Sequence, residues 1–338
     1  MRPRPKMWSR DLNIPVIIIA LCQCIHVNVH FDKIPCTLLF QKAVPVDGNA
    51  SWRSITFRGS SLANLPRGFK AHMSPAEQSS VMNALVRLVS VCDQLGTVYM
   101  LYGGSLLGSY RHHNMIPWDD DVDIMVRLTD RHRLTAALHE LEPEYGTFEG
   151  EARLKFWLSA GSRRRAALYS WQWPYVDIFF YDENATHIWD TGPEFKNYYI
   201  FDKSMVFPTH LRLYAGLWLP APRDTLVFLV HMYGRKVHCS TKFYSHKFEE
   251  NLDTVSVRCH KMKAVYPFVH RRPVSAVAIP AGQSIRIAQP PGIIEVLMLD
   301  DVILHTMHVE EQTYTMDANP YYLPTRRRLA LMISSRPV

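Results

Sequence analysis

The clearest periodic segment begins at Ser74. Val81, Leu85, Leu88, Val89 and Cys92 recur at helical spacing, which predicts a helix with one apolar face over residues 75–95. Ser74 stands as its N-cap, Pro75 takes the first helical position, Glu77 completes a capping box, and Gly96 ends it. Residues 97–101 then predict a short strand, 106–110 a helix and 114–117 a turn. Residues 121–126 alternate acidic and apolar side chains, the period of a strand. A further helix is expected over 130–141, a core strand with one acid over 175–181, and a helix over 224–233 stopped by Gly234. After residue 266 the pattern turns β-rich, with runs at 276–279, 284–287 and 293–299 separated by Pro and Gly. Strands and helices in this mixture predict an α+β fold, a mixed sheet flanked by helices with a small β-rich C-terminal region.

Composition narrows the class. The chain has 338 residues, 47% of them hydrophobic and 20% charged, so it buries a core and is not disordered throughout. Only one stretch could meet a bilayer. Arg2, Arg4, Lys6 and Arg10 precede the apolar run Ile14 to Leu21, the layout of a secretory signal. Two readings stand: a cleaved signal peptide, or a retained signal-anchor with the basic flank in the cytosol. The sequons at Asn49 and Asn184 fit a lumenal location. The net charge of +7 would suit nucleic acid, but no dense Lys/Arg run is interleaved with aromatics, so no nucleic-acid partner is expected. Arg163, Arg164 and Arg165 read as a solvated charge run or as a lure for an anionic ligand. Of the six cysteines, Cys239 and Cys259 are the pair expected to close a local disulfide loop, whereas zinc spacing is not evident.

The strongest chemical signal is acidic. Asp119, Asp120, Asp121 and Asp123 place four carboxylates within five residues, just before Val122, Ile124 and Val126. Residues two apart in a strand share a face, so Asp121 and Asp123 project together. Such a pair on a core strand needs a counter-charge, which Mg2+ or Mn2+ would supply. Asp177, between Val176 and Ile178, is the third candidate carboxylate. Upstream, Gly103, Gly104 and Ser105 lie between a strand and a helix, where backbone N–H groups can approach a phosphate. Arg111 follows and could pair with a phosphate, while Trp118 is expected to pack beneath the acidic turn.

Residues 102–112 (YGGSLLGSYRH) and 116–124 (IPWDDDVDI), followed by 176–180 (VDIFF) and by Pro222-Arg223-Asp224 with Tyr233-Gly234, resemble the LicD family, its fukutin group included. The resemblance spans roughly 80–240 and implies a nucleotidyltransferase-like core. It implies an EC 2.7-type phosphotransferase that moves an alcohol phosphate, ribitol phosphate- or phosphocholine-like, from a CDP-alcohol donor to a glycan or glycoprotein acceptor. Asp119, Asp121, Asp123 and Asp177 are then the expected catalytic set, with metal on Asp121, Asp123 and Asp177, and Asp119 or Asp177 as base. The expected division, read from the pattern along the chain, is a signal peptide or anchor at 1–30, a stem at 31–73, the catalytic domain at 74–265 and a β-rich appendage at 266–338. The implied location is the Golgi or ER lumen, as a single-pass type II membrane protein or, after cleavage, a secreted one. Two alternatives share the motif: a glycosyltransferase whose Asp-x-Asp binds a nucleotide sugar, and a non-catalytic lumenal relative.

Overall fold

The computed structural model describes residues 65–160, 164–165, 169–234, 238–274 and 292–309. The N-terminal segment 1–30, most of the stem, the sequon at Asn49, Arg163, and the β-rich runs expected at 276–279 and 284–287 lie outside the described residues. Among the described residues, no helix is long and apolar enough to cross a membrane.

Helix α1 (Pro75–Leu95) is fixed by its caps. The Ser74 backbone N–H donates to Glu77 Oε2 at 2.8 Å, the Glu77 N–H donates to Ser74 Oγ at 3.3 Å, and Gly96 closes the end at φ 63°. Its buried face is Val81, Ala84, Leu85, Leu88 and Cys92. The short strand β1 (Tyr99–Leu101) leads into helix α2 (Gly103–His112), β2 (Val122–Arg127) and α3 (Arg131–His139). The hairpin strands β3 (Tyr145–Glu149) and β4 (Arg153–Leu158) follow, then a small ribbon of β5 (Arg164–Arg165) and β6 (Gln172–Trp173). The chain returns through β7 (Val176–Glu183), β8 (His187–Asp190) and β9 (Ile200–Asp202).

Seven of these strands form one mixed sheet, ordered β1-β2-β7-β4-β3, with β8 on β7 and β9 on β8. β2 and β7 are parallel and lie side by side at its centre; the other pairs are antiparallel. Their residues Val122, Ile124, Val126, Val176, Ile178 and Phe180 are fully buried, as expected for central strands covered on both faces. α1 packs on β4 and α2 on β2.

Further on, the hairpin β10 (His210–Tyr214) and β11 (Leu217–Ala221) precedes helix α4 (Thr225–Tyr233). The ribbons β12 (His238–Ser240) with β15 (Ser256–Arg258), and β13 (Tyr244–Ser245) with β14 (Glu250–Asn251), carry the loop beside the acidic run. Cys239 and Cys259 are joined by a disulfide across the first of them. The C-terminal three-stranded sheet is β16 (Phe268–Val274), β17 (Gly292–Leu299) and β18 (Val302–Val309). It is tied into the core by buried ions rather than appended to it. Glu295 Oε1 lies 2.8 Å from Arg212 Nη2 and 2.6 Å from Arg271 Nη2, and Glu295 Oε2 lies 2.6 Å from Nε2 of His113, the C-cap residue of α2.

Candidate active site

The register of β2 against β7 builds the site. Asp123 on β2 stands directly opposite Asp177 on β7, and Asp121 ends the turn that feeds β2. One oxygen from each of Asp121, Asp123 and Asp177 falls within a group no wider than 4.8 Å, and all three residues are buried. Oxygen-only ligands at this spacing suit a hard divalent cation.

The local backbone allows nothing bulkier beside them. Gly103 opens α2 at φ 48°, and a Cβ there would stand 2.5 Å from Asp123 Oδ2. A Cβ on Gly104 would stand 2.6 Å from Asp119 Oδ2. The Gly-Gly-Ser segment is therefore the first turn of the helix, where the sequence suggested a preceding turn. Its N-terminal N–H groups face the protein's own carboxylates: Gly104 donates to Asp123 Oδ2 at 2.8 Å. The Ser105 hydroxyl accepts from the Asp123 N–H at 2.8 Å and meets the Tyr214 hydroxyl at 3.1 Å. Through these contacts its side chain braces β2. Arg111, expected to pair with a phosphate, is turned into the core and donates from Nη1 to Cys239 Sγ at 3.1 Å. Trp118 packs under the acidic turn, against Phe69 and Tyr266, and donates from Nε1 to the Ser240 carbonyl.

Cations unrecognised in the sequence surround the acids. Lys155 on β4 pairs with Asp177 in register and places Nζ 2.8 Å from Asp177 Oδ1. Lys242 contacts Asp119 Oδ1 at 3.2 Å and also Asp120 Oδ1. His246 bridges two acids, Nδ1 lying 3.1 Å from Asp120 Oδ1 and Nε2 3.2 Å from Asp121 Oδ2. Asp120, fully buried, is the latch of this loop. It also accepts from Ser245 Oγ and from the backbone N–H groups of His246 and Lys247. Lys155 had a signal in the sequence: a lone cation between the buried Leu154 and Phe156, the counterpart of Asp177 between Val176 and Ile178. Lys242 and His246 had none, because a disulfide-anchored loop brings them over 120 positions along the chain.

Five carboxylates thus face two ammonium groups, and the shortfall is localised. Asp119, Asp120 and Asp177 each touch a lysine, whereas Asp121 and Asp123 do not. Burial, followed by the charges of its acidic neighbours, pushes the Asp121 carboxyl well up from the usual carboxylate range. The same causes push Asp123 up to about 7. A site that resists holding its own negative charge is one that a divalent cation would relieve.

At the exposed turn between β7 and β8, Asn184 Oδ1 accepts from the backbone N–H groups of Thr186 and His187. The sequon asparagine is therefore at the surface.

Comparison with known proteins points the same way. Residues 96–224 match the family model described as LicD/FKTN/FKRP, nucleotidyltransferase domain. Ribitol-5-phosphate transferase FKTN of Macaca fascicularis is 26% identical over 171 residues, 47% of this chain and 33% of that protein. Ribitol 5-phosphate transferase FKRP of Mus musculus is 29% identical over 150 residues, 44% of this chain and 30% of that one. Lipopolysaccharide cholinephosphotransferase LicD of Haemophilus influenzae is 35% identical over 57 residues, 17% of this chain and 22% of that one. The chain matches a third or less of the length of each of these relatives.

Proposed function

Because residues 96–224 are a LicD-family nucleotidyltransferase domain, we propose that this chain transfers an alcohol phosphate from a CDP-alcohol to a hydroxyl of a glycan or glycoprotein. The observation that carries the reading is the convergence of Asp121, Asp123 and Asp177, two of them in register on parallel strands. The names of the relatives supply the chemistry, transfer of ribitol phosphate or phosphocholine.

Asp121, Asp123 and Asp177 would hold Mg2+ or Mn2+, since their oxygens are hard, close together and mutually repelling. When bound, such an ion neutralises charge on the donor's diphosphate and on the departing CMP. Gly103 and Gly104 leave room for the carboxylates of Asp123 and Asp119 themselves. Of the two candidate bases, each engaged by a lysine, Asp119 is the more accessible, its side chain 18% exposed against 1% for Asp177. A lumenal location, with membrane attachment through the basic and apolar N-terminus, accords with that segment and with the sequons.

The decisive experiment incubates the purified protein with Mg2+ or Mn2+ and a donor panel. CDP-ribitol, CDP-choline and other CDP-alcohols are compared with UDP- and GDP-sugars. Metal-dependent CMP release from a CDP-alcohol is the expected result. Release of UDP or GDP instead would make the chain a glycosyltransferase, and no release from any donor would end the enzymatic reading.

A further inference from the structure

Lys155 is placed unusually for a residue that only neutralises a buried acid. Its backbone lies on β4 between two fully buried apolar neighbours, Leu154 and Phe156, and its side chain is 11% exposed. Nζ stands 2.8 Å from Asp177 Oδ1 and 3.8 Å above the centre of the Tyr175 ring, with Trp171 at 5.3 Å. Both rings are held from behind, Trp171 Nε1 and Tyr175 Oη each donating to Glu249 Oε1 at 2.9 Å. The ammonium is therefore guided by two anchored aromatic faces onto an oxygen of one of the three converging carboxylates.

A cation entering that group shares Asp177 with Lys155. Two positive charges a few ångströms apart on one carboxylate repel, unless a further anion joins them. The diphosphate of a nucleotide donor is such an anion. A lysine is suited to this, being a compact charge on a flexible four-carbon stem that can move from one oxygen to another. We propose that Lys155 is an exchangeable counter-ion, which neutralises Asp177 in the metal-free protein and binds a phosphate of the donor once the metal is in place. The proposal rests on the metal-dependent phosphotransfer reading above and adds to it a donor-binding residue and an order of events. Metal and Lys155 compete in the absence of nucleotide and act together in its presence.

Calorimetric titration of the purified protein with Mn2+, and of the Mn2+-loaded protein with CDP, tests it. Lys155→Met is expected to bind Mn2+ about tenfold more tightly than the unmodified protein, a gain of about 1.4 kcal/mol. Loaded with Mn2+, the same variant is expected to bind CDP roughly tenfold more weakly. Lys155→Gln keeps a hydrogen-bond donor for Asp177 without the charge and should show both changes with the same signs, which guards against a folding failure in the methionine variant. Near-UV circular dichroism verifies the fold of each. Unchanged or weaker Mn2+ binding in the folded variants means that Lys155 merely orients Asp177, and unchanged CDP binding means that it does not meet phosphate; either overturns the proposal. An unmodified protein that takes up no Mn2+ overturns the metal reading itself, a different failure from these.

Discussion

Two groups of buried charge in this chain are built on opposite principles. Around Glu295, one carboxylate meets two guanidinium groups, Arg212 and Arg271, and the imidazole of His113. Burial alone would push Glu295 up, but the two arginines outweigh it and hold its carboxyl well below the usual range. His113 and His305 are both pushed down by burial, so the neutral rings form a relay: His113 Nε2–H donates to Glu295 and His305 Nε2–H donates to His113 Nδ1. The Asp119–Asp177 group reverses the count, with acids in excess and two of them lacking an ammonium partner. The first group is closed by its own cations, two guanidinium groups holding one carboxylate. The second is left short of positive charge, which is the state expected of a place that receives a cation from outside.

The difference can be broken at either end. The largest effect is expected from Asp121→Asn with Asp123→Asn, which should lower CMP release by roughly a thousandfold or more. In metal-free buffer at neutral pH the same double variant should melt at a higher temperature than the unmodified protein, because like charges have been removed. Normal release by a folded double variant would show that chemistry occurs elsewhere.

Glu295→Ala is expected to act in the opposite way on stability. It strands two buried guanidinium groups and should cost about 3–5 kcal/mol in urea unfolding. If the loss is negligible, the closed group is not the clamp described above.

The disulfide between Cys239 and Cys259 closes a loop at a sequence separation of 20, and replacing both by Ser should cost about 3 kcal/mol. The same variant should lose part of its transfer rate, because Lys242 and His246 ride on the strap held by that bond. Thermal melts and CMP assays on one preparation separate the two effects.

The smallest effect is on pH dependence. Burial holds the His112 imidazole down to about 3, and its Nδ1–H donates to the Pro267 carbonyl at 2.6 Å. Its folded value is depressed, so its contribution is present above pH 6.5 and is lost as pH falls through the window between 6.5 and 3. In that window the unfolded chain takes up a proton that the folded chain refuses. Replacing His112 by Phe should flatten the stability curve between pH 6 and 5 by about one proton, roughly 1.4 kcal/mol per pH unit. Denaturant midpoints measured across that range decide it. Glu295, also depressed, adds a loss only at more acidic pH, below its ordinary carboxylate value of 4.5.

What could be read from the sequence was what depends on neighbours in the chain. The capping box at Ser74 and Glu77, the alternation through Asp121 and Asp123, and the isolated acid at Asp177 are local signals, and each carries its element. The cysteine pair was legible because its loop is short. Sequence position after a glycine turn does not tell which helix face meets the core, and the face that carries Arg111 meets the disulfide. The partner of Ser105, the Asp123 N–H, is set by where β2 lies against the helix. Lys242 and His246 depend on loop return, which a linear reading does not contain, and the partner of Lys155 depends on strand register. The β-rich C-terminal region was visible as strands over 293–299, but its buried ties to α2 were not.

Those ties set a timetable for synthesis. His113 ends the helix that begins at Gly103, yet its carboxylate partner lies 182 positions further along the chain. Contacts so distant in sequence form late and slow the search for the native state. At a translation speed of roughly 5–20 residues per second, the helix emerges about ten seconds or more before Glu295 can reach it. During that interval His113, joined later by Arg212 and last by Arg271, awaits its anion, so a nascent chain stopped short of β17 is expected to need chaperone cover before it can finish its own centre.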